Sequence, residues 1–230
     1  MVLPELATLT SQTIAAYIAA TALSAVAFLW MSKNWGDVPK KFYLIHFFIV
    51  SWSGLMYMNI LYDTSIAELA FYADWLVSTP LIVLALGLSA YIASDSTDWS
   101  MVGSLMGLQF MLIAAGLLAH VAETAAATWA FYGISCLFMF GVIYMIWGPL
   151  MRVTESNDAL NREYHKLGLF VILTWLSYPT IWALGDVGGY GLGVLSDYQV
   201  TLGYVILPFL CKAGFGFLDI YLLDRISDDI

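Results

Sequence analysis

Long apolar segments dominate this chain. Short polar stretches separate segments of about 20 residues or more, the length that a helix needs to cross a bilayer. Inside lipid the backbone must satisfy its own hydrogen bonds, which favours helices. We therefore predict an all-α membrane protein, a bundle of seven transmembrane helices. The predicted helices cover residues 10–32, 40–62, 67–92, 99–119, 125–149, 160–185 and 199–224.

The composition agrees with a multi-pass protein of the cell membrane. Of the 230 residues, 61% are hydrophobic and 11% are charged, whereas soluble domains are about 25% charged. No long polar block interrupts the pattern, so residues 1–230 are predicted to form a single membrane domain. The net charge of −9 does not suggest nucleic-acid binding. We expect the lipid bilayer as the surroundings, no metal site and no enzymatic activity.

The basic residues indicate how the bundle is oriented. All of them except Lys212 fall at the same side of the predicted bundle, because they lie in or around alternate connections and after the last helix. They are Lys33, Lys40, Lys41, Arg152, Arg162, Lys166 and Arg225. Cytoplasmic loops carry an excess of Lys and Arg. We therefore predict that the N-terminus lies outside and the C-terminus lies in the cytoplasm.

Lys212 lies in the middle of the predicted seventh helix. A charged side chain in hydrocarbon costs several kcal/mol, about 3 on insertion scales, so it indicates a function. Three interpretations remain open from this segment alone: a structural ion pair, an ion-relay lysine of a transporter, and a lysine that condenses with an aldehyde to form a Schiff base.

Two carboxylates and a histidine are predicted at membrane depth near Lys212. Asp74 comes early in the third helix, on the outer side. Asp219 follows Lys212 by two turns, about 10 Å nearer the cytoplasm, and His46 lies at a similar depth in the second helix. An isolated histidine there could simply contact headgroups, but an acid at the same depth favours a proton-binding pair. His120 and His165, at helix ends, are expected to be solvated.

Aromatic residues form a stripe on the sixth predicted helix. Trp175, Tyr178 and Trp182 recur at helical spacing and share one face, and Trp75 lies beside Asp74. Core packing produces similar stripes, but tryptophans in membrane proteins favour the interfaces, and these lie nearer mid-depth. A flat apolar ligand would use such walls. The predicted ligand-binding residues are Lys212, Trp75, Thr79, Gly116, Ser135, Met139, Trp175, Tyr178, Pro179 and Trp182.

Three motifs resemble those of the microbial (type 1) rhodopsins. They are residues 74–80 (DWLVSTP), 175–182 (WLSYPTIW) and 212–217 (KAGFGF), and the resemblance extends over essentially the whole chain. It implies all-trans retinal bound to Lys212 as a Schiff base, with Asp74 as the counterion.

The chain departs from the outward proton pumps of that family at three positions. Those pumps have an arginine three residues before the counterion, where this chain has Phe71. They have a second aspartate four residues before the lysine, where this chain has Pro208. They have an acidic proton donor eleven residues after the counterion, where this chain has Ala85. The resulting triplet is Asp74, Ser78 and Ala85.

Three further segments resemble the xenorhodopsins, a group of light-driven inward proton pumps. They are residues 45–50 (IHFFIV), 52–57 (WSGLMY) and 217–219 (FLD). The resemblance implies a cytoplasmic proton-accepting pair at His46 and Asp219, and a homotrimer. The expected counterion and proton-path residues are Asp74, Ser78, Phe71, Pro208, Ser53, His46 and Asp219.

We therefore predict a light-driven inward proton pump. The alternative is a photosensory rhodopsin that signals to a partner, because Pro208 is compatible with both functions. The two differ in whether illumination moves protons across the membrane.

Overall fold

The computed structural model describes residues 4–34, 37–186 and 189–227. The domain predicted over residues 1–230 includes a few residues outside these ranges. Within these ranges the chain is helical and contains no strand. Among the described residues, seven spans are long and apolar enough to cross a membrane, which confirms the predicted bundle of seven helices. We number them in chain order: Leu9–Asn34, Lys40–Leu61, Ala67–Ala90, Trp99–His120, Ala125–Thr154, Asp158–Leu184 and Asp197–Asp224.

Side-chain caps explain why two helices begin earlier than predicted. The sixth helix starts at Asp158 rather than at 160, because the Asn157 side chain accepts a hydrogen bond from the backbone N–H of Leu160. The seventh starts at Asp197 rather than at 199, because Ser196 and Gln199 form a reciprocal capping box. Such caps satisfy N–H groups that lack partners within the helix.

Three other predicted helices also differ from the structure at their ends. The first helix covers Pro4–Asn34 rather than 10–32. The third begins with a 3₁₀ turn at Ala67–Leu69 and ends at Ala90 rather than at 92. The fifth does not end at 149, because Pro149 lies inside a π-helical turn, Ile146–Leu150, through which the helix continues to Thr154.

The seventh span also contains a π-helical turn, at Leu210–Gly214, with Lys212 at its centre. Pro208 precedes this turn and has no N–H, so it cannot donate to the carbonyl of Tyr204 one turn back. The hydroxyl of Tyr57 donates to that carbonyl instead. The second and seventh spans are therefore joined just before the lysine.

The basic residues other than Lys212 lie at or near span ends on one side of the bundle, which we call the basic end; they are Lys33, Lys40, Lys41, Arg152, Arg162, Lys166 and Arg225. A buried cluster there contains Met31, Val38, Phe42, Leu160 and Ile226. It joins the connection between the first two spans to the start of the sixth and the end of the seventh. Because the connections are short, successive spans run in opposite directions.

The surface of the bundle is apolar and its interior holds polar groups. Large hydrophobic side chains such as Leu23, Leu137 and Phe140 are exposed. His46, Asp74 and other polar residues are instead completely buried. Soluble proteins rarely expose large contiguous apolar patches, so this arrangement is that of a multi-pass membrane protein.

Candidate functional site

Lys212 forms a buried ion pair with Asp74 in the centre of the bundle. Its ammonium group also donates a hydrogen bond to the Ser53 hydroxyl at 3.0 Å, and Ser53 donates to the Asp74 carboxylate at 2.9 Å. A buried pair of this kind needs additional hydrogen bonds to offset its desolvation cost. The second, third and seventh spans each supply one of these groups.

The first span adds a residue that the sequence did not single out. The Tyr17 hydroxyl lies 2.6 Å from the Ser53 hydroxyl. Because Ser53 has one proton and donates it to Asp74, Tyr17 is the donor in this pair. No periodic pattern in the first helix distinguishes Tyr17, so only the packing of the first span on the second identifies it.

Ser78 is bonded differently from the expectation that placed it with the counterion. Its hydroxyl donates to the main-chain carbonyl of Asp74 at 2.7 Å, rather than to the carboxylate. The second carboxylate oxygen, Oδ1, is buried and has no hydrogen-bond partner among the described residues. Ser78 therefore supports the helix at this position, while Ser53 contacts the charge.

A cavity opens from Lys212 and is lined by residues of the third to seventh spans. All ten residues predicted for ligand binding line it. Ten more line it as well: Tyr72, Ile82, Gln109, Leu112, Ile113, Ala119, Tyr132, Cys136, Tyr204 and Cys211. Helical spacing could have identified some of them, since Gln109 precedes Gly116 by two turns and Tyr132 precedes Ser135 by one.

The cavity walls suit a flat apolar molecule. The rings of Trp75 and Tyr178 meet edge to face with centroids 5.2 Å apart, and Tyr132 stacks on Trp182 at 5.0 Å. Lys212 is the only acidic or basic side chain among the described lining residues. A long apolar aldehyde such as retinal fits this combination, because the walls match its body and the amine can condense with its carbonyl.

Phe71 belongs to an aromatic cluster on the side of Asp74 away from the basic end. Its ring lies 5.4 Å from that of Tyr57, 5.6 Å from that of Tyr204 and 6.2 Å from that of Trp75. The side chain is half-buried. Phe71 therefore places an uncharged ring among other aromatic rings on this side of Asp74.

A second polar cluster lies on the other side of Lys212, towards the basic end. His46 Nε2 is 2.8 Å from Asp219 Oδ2, and the Ser89 hydroxyl donates to Asp219 Oδ1 at 2.7 Å. All three side chains are buried. The pairing of His46 with Asp219 agrees with their predicted depths, whereas Ser89 was missed. It follows Asp74 by about four turns, so helical periodicity could have placed it on the same face.

Matched spacing on antiparallel helices brings the two clusters into register. Ser53 follows His46 by seven residues, and Asp219 follows Lys212 by seven. Because the second and seventh spans run in opposite directions, Ser53 meets Lys212 where His46 meets Asp219.

Gly216 provides the space that His46 occupies. A Cβ atom on Gly216 would lie 2.8 Å from the Phe28 ring and 2.9 Å from the His46 ring. Both distances are too short for carbon–carbon contacts. The absence of a side chain at this position therefore allows the imidazole to approach the seventh span.

The two remaining histidines differ in environment. His165 is exposed, as predicted, and its Nδ1 lies 2.8 Å from the Asn161 carbonyl. The prediction of a solvated His120 was wrong, because that ring is half-buried and lies 5.1 Å from the Tyr72 ring. Tyr72 lines the cavity and accepts a hydrogen bond from Trp182 at 3.1 Å, so His120 packs behind the cavity wall.

Seven membrane spans around a buried lysine–carboxylate pair, with an aromatic cavity beside the lysine, are the features of a retinal-binding membrane protein. Residues 8–226 match the family described as bacteriorhodopsin-like protein, and the chain belongs to that family. Proteins of this family bind a retinal chromophore and include light-driven ion pumps.

Solved structures and curated relatives refine this assignment. The chain is similar to the inward H⁺ pump xenorhodopsin, with 38% identity, a TM-score of 0.88, and coverage of 95% of this chain and 94% of that one. It is 30% identical to bacteriorhodopsin of Haloterrigena sp. strain arg-4 over 77% of this chain and 73% of that protein. Halorhodopsin, a light-driven chloride pump, shares the fold at 24% identity and a TM-score of 0.82, covering 96% of each chain. These comparisons support a microbial rhodopsin of the xenorhodopsin type.

Proposed function

We propose that this protein is a light-driven inward proton pump that carries all-trans retinal on Lys212. The observation that carries the direction is the buried pair of His46 and Asp219 at 2.8 Å, on the side of Lys212 nearer the basic end. The similarity to the inward pump xenorhodopsin supports the same direction.

The Nζ of Lys212 would hold retinal as a Schiff base, and the aromatic walls of the cavity would orient it. When bound, retinal supplies the absorption of light and an isomerisation that changes the direction and proton affinity of the attached nitrogen. Asp74 is the counterion in this proposal, because a carboxylate beside a cationic nitrogen favours the protonated form. Ser53 and Tyr17 hold that carboxylate in place through their hydrogen bonds.

The side away from the basic end is a poor exit for the proton. Phe71 and Pro208 stand where outward pumps of this family have an arginine and a second aspartate. Among the described residues, Asp74 is therefore the only buried carboxylate on this side that could accept a proton. We propose that Phe71 and the rings around it limit water near Asp74. Asp74 then acts as a counterion, and Lys212 recovers a proton from this side.

The other side offers an acceptor. Asp219 receives hydrogen bonds from His46 and Ser89, and Ala85 leaves no acid between this cluster and Asp74 on the third helix. An imidazole beside a carboxylate can hold one shared proton near neutral pH, as a coupled pair rather than as two independent groups. We propose that the proton of the Lys212 nitrogen passes to this pair.

The direction relative to the cell follows from the orientation that we propose. The positive-inside rule places the basic end in the cytoplasm and the N-terminus outside. Residues 1–230 form one membrane domain in this proposal. Transfer from Lys212 towards Asp219 is then inward.

The sign of the light-induced pH change tests this proposal. Illuminated cells that contain the protein and retinal should make an unbuffered medium more alkaline, and a protonophore should abolish the change. Cells with the Lys212→Ala variant provide the baseline. Acidification of the medium would overturn the proposed direction, and an intact photocycle without net proton movement would favour the photosensory alternative.

Variants of the acceptor pair test its role separately. Asp219→Asn and His46→Ala should lower the light-induced signal while retinal stays bound, because neither residue lines the retinal cavity. Asp158→Asn, an exposed change at the basic end, is the matched control. Unchanged transport in the His46→Ala/Asp219→Asn double variant would remove the pair from the proton path.

A further inference from the structure

We propose that Tyr164 passes the proton from the His46–Asp219 pair to Glu163. Glu163 is then the exit group that releases the proton to the cytoplasm. The proposal rests on the inward direction proposed above and extends the path from the buried pair to bulk water. Both residues lie in the first turns of the sixth span.

A small pocket, separate from the Lys212 cavity, lies between Asp219 of the buried pair and this region. Asp219 and Ser89 line it at one side, and Glu163 and Tyr164 also line it. The other lining residues are Leu160, Leu167, Leu222, Leu223 and Ile226. Glu163, Tyr164 and Ser89 are thus the polar side chains that share this cavity with Asp219.

Tyr164 has a hydroxyl that nothing else in the described structure uses. The side chain is buried, and its oxygen has no hydrogen-bond partner among the described residues. Buried hydroxyls are nearly always bonded, so one without a partner calls for an explanation. A hydroxyl can accept a proton on its oxygen and release its own, and a position in the cavity of Asp219 suits that function.

Glu163 marks the boundary between the buried cavity and solvent. Its side chain is only 2% exposed, yet it pairs with Lys166 at 2.6 Å and Arg162 at 3.3 Å, and Arg225 lies 3.9 Å away. Those three cations are themselves 49% to 63% exposed. The carboxylate therefore contacts the cavity on one side and solvated cations on the other.

The three cations around Glu163 also affect how long its carboxylate would keep a proton. Three positive charges favour its ionised form, so a proton received by Glu163 is quickly released to water. The transfer is balanced: Asp219 loses one proton, Tyr164 accepts one and gives one up, and Glu163 binds one and returns it to solvent. Glu163 is free to accept the next proton.

Time-resolved proton release tests the proposal. The protein is placed in lipid vesicles of known orientation with a pH-sensitive dye on the side of the basic end, and a flash starts the reaction. Absorbance reports when the Lys212 nitrogen loses its proton, and the dye reports when the proton reaches water. Glu163→Gln should delay the dye signal roughly a hundredfold, the lower end of the range of single acid–base groups, without slowing the absorbance step.

Two further variants keep the test decisive. Tyr164→Phe removes only the unbonded hydroxyl, so it should fold and should also delay the dye signal, even if Glu163→Gln fails to fold. Glu155→Gln changes an exposed carboxylate at the same end and should match the unmodified protein.

The outcomes separate this proposal from the pump itself. An unmodified protein that moves protons outward would overturn the proposed function and this path with it. An inward pump whose dye delay is unchanged by Tyr164→Phe and by any folded Glu163→Gln would overturn only the exit path. Equal slowing of the absorbance and dye signals would indicate a structural effect and would also contradict it.

Discussion

At the scale of single residues, the ion pair between Lys212 and Asp74 determines how substitutions of either residue affect stability and retinal binding. Lys212→Ala removes the amine to which we propose that retinal is bound, so we expect no covalent chromophore and no visible absorption band. It also leaves a buried carboxylate unpaired, which costs about 3–5 kcal/mol. The Lys212→Ala/Asp74→Asn double variant should therefore be more stable than Lys212→Ala in thermal unfolding, and equally colourless. A visible band sensitive to hydroxylamine in either variant would contradict the assignment.

Gly216 offers a second test at this scale. In Gly216→Ala the new methyl group would displace His46 or Phe28, because the contacts would be 2.8–2.9 Å. We expect the light-induced proton signal to fall while the dark absorption maximum stays unchanged, since His46 does not line the retinal cavity. Alanine otherwise favours a helix over glycine by about 1 kcal/mol.

Gly214→Ala is the matched control for that change. A Cβ atom there would have its nearest contacts at 3.8 Å, an ordinary van der Waals distance. Its proton signal should match that of the unmodified protein. If the two glycine variants give the same proton signal, the space that Gly216 leaves for His46 is not required for proton transport.

At the scale of helices, Pro208 and Tyr57 act together. Proline frees the Tyr204 carbonyl from its bond within the helix, and the Tyr57 hydroxyl donates to it. Tyr57→Phe should lower stability by about 1–3 kcal/mol, the cost of a buried group without its partner. In the Pro208→Ala background a backbone N–H can replace that donor, so the same change should cost less. Thermal unfolding of the four proteins in a double-mutant cycle measures this coupling, and strictly additive shifts would contradict it.

At the scale of the whole molecule, the orientation is open to direct test. We expect a cysteine at Glu123 to react with a membrane-impermeant maleimide in intact cells, because the proposed orientation places the connection between the fourth and fifth spans outside. A cysteine at Glu155, near the basic end, should react only after the membrane is permeabilised. The unmodified protein controls for Cys136 and Cys211, which lie within spans. The reverse labelling pattern would invert the orientation and with it the direction of transport.

Much of the architecture could be predicted from the sequence because the bilayer constrains it so strongly. Apolar length determines the number of spans, and the positions of Lys and Arg predict the orientation. Helical period placed Trp175, Tyr178 and Trp182 on one face, and all three line the cavity. Helix ends were less accurate, because capping by Asn157 and Ser196 and the π-helical turn around Pro149 depend on local hydrogen bonds.

Segment length and residue spacing are enough to place a lysine, a carboxylate on each side of it and an aromatic stripe inside the bundle, because charged groups within spans avoid lipid. Which of these groups meet could be read only from the folded bundle. Tyr17 reaches Ser53, Ser89 reaches Asp219, and Ser78 turns to its own backbone. Each of these contacts depends on the relative rotation and register of neighbouring helices. Packing between spans fixes both, and no pattern within a single span encodes them.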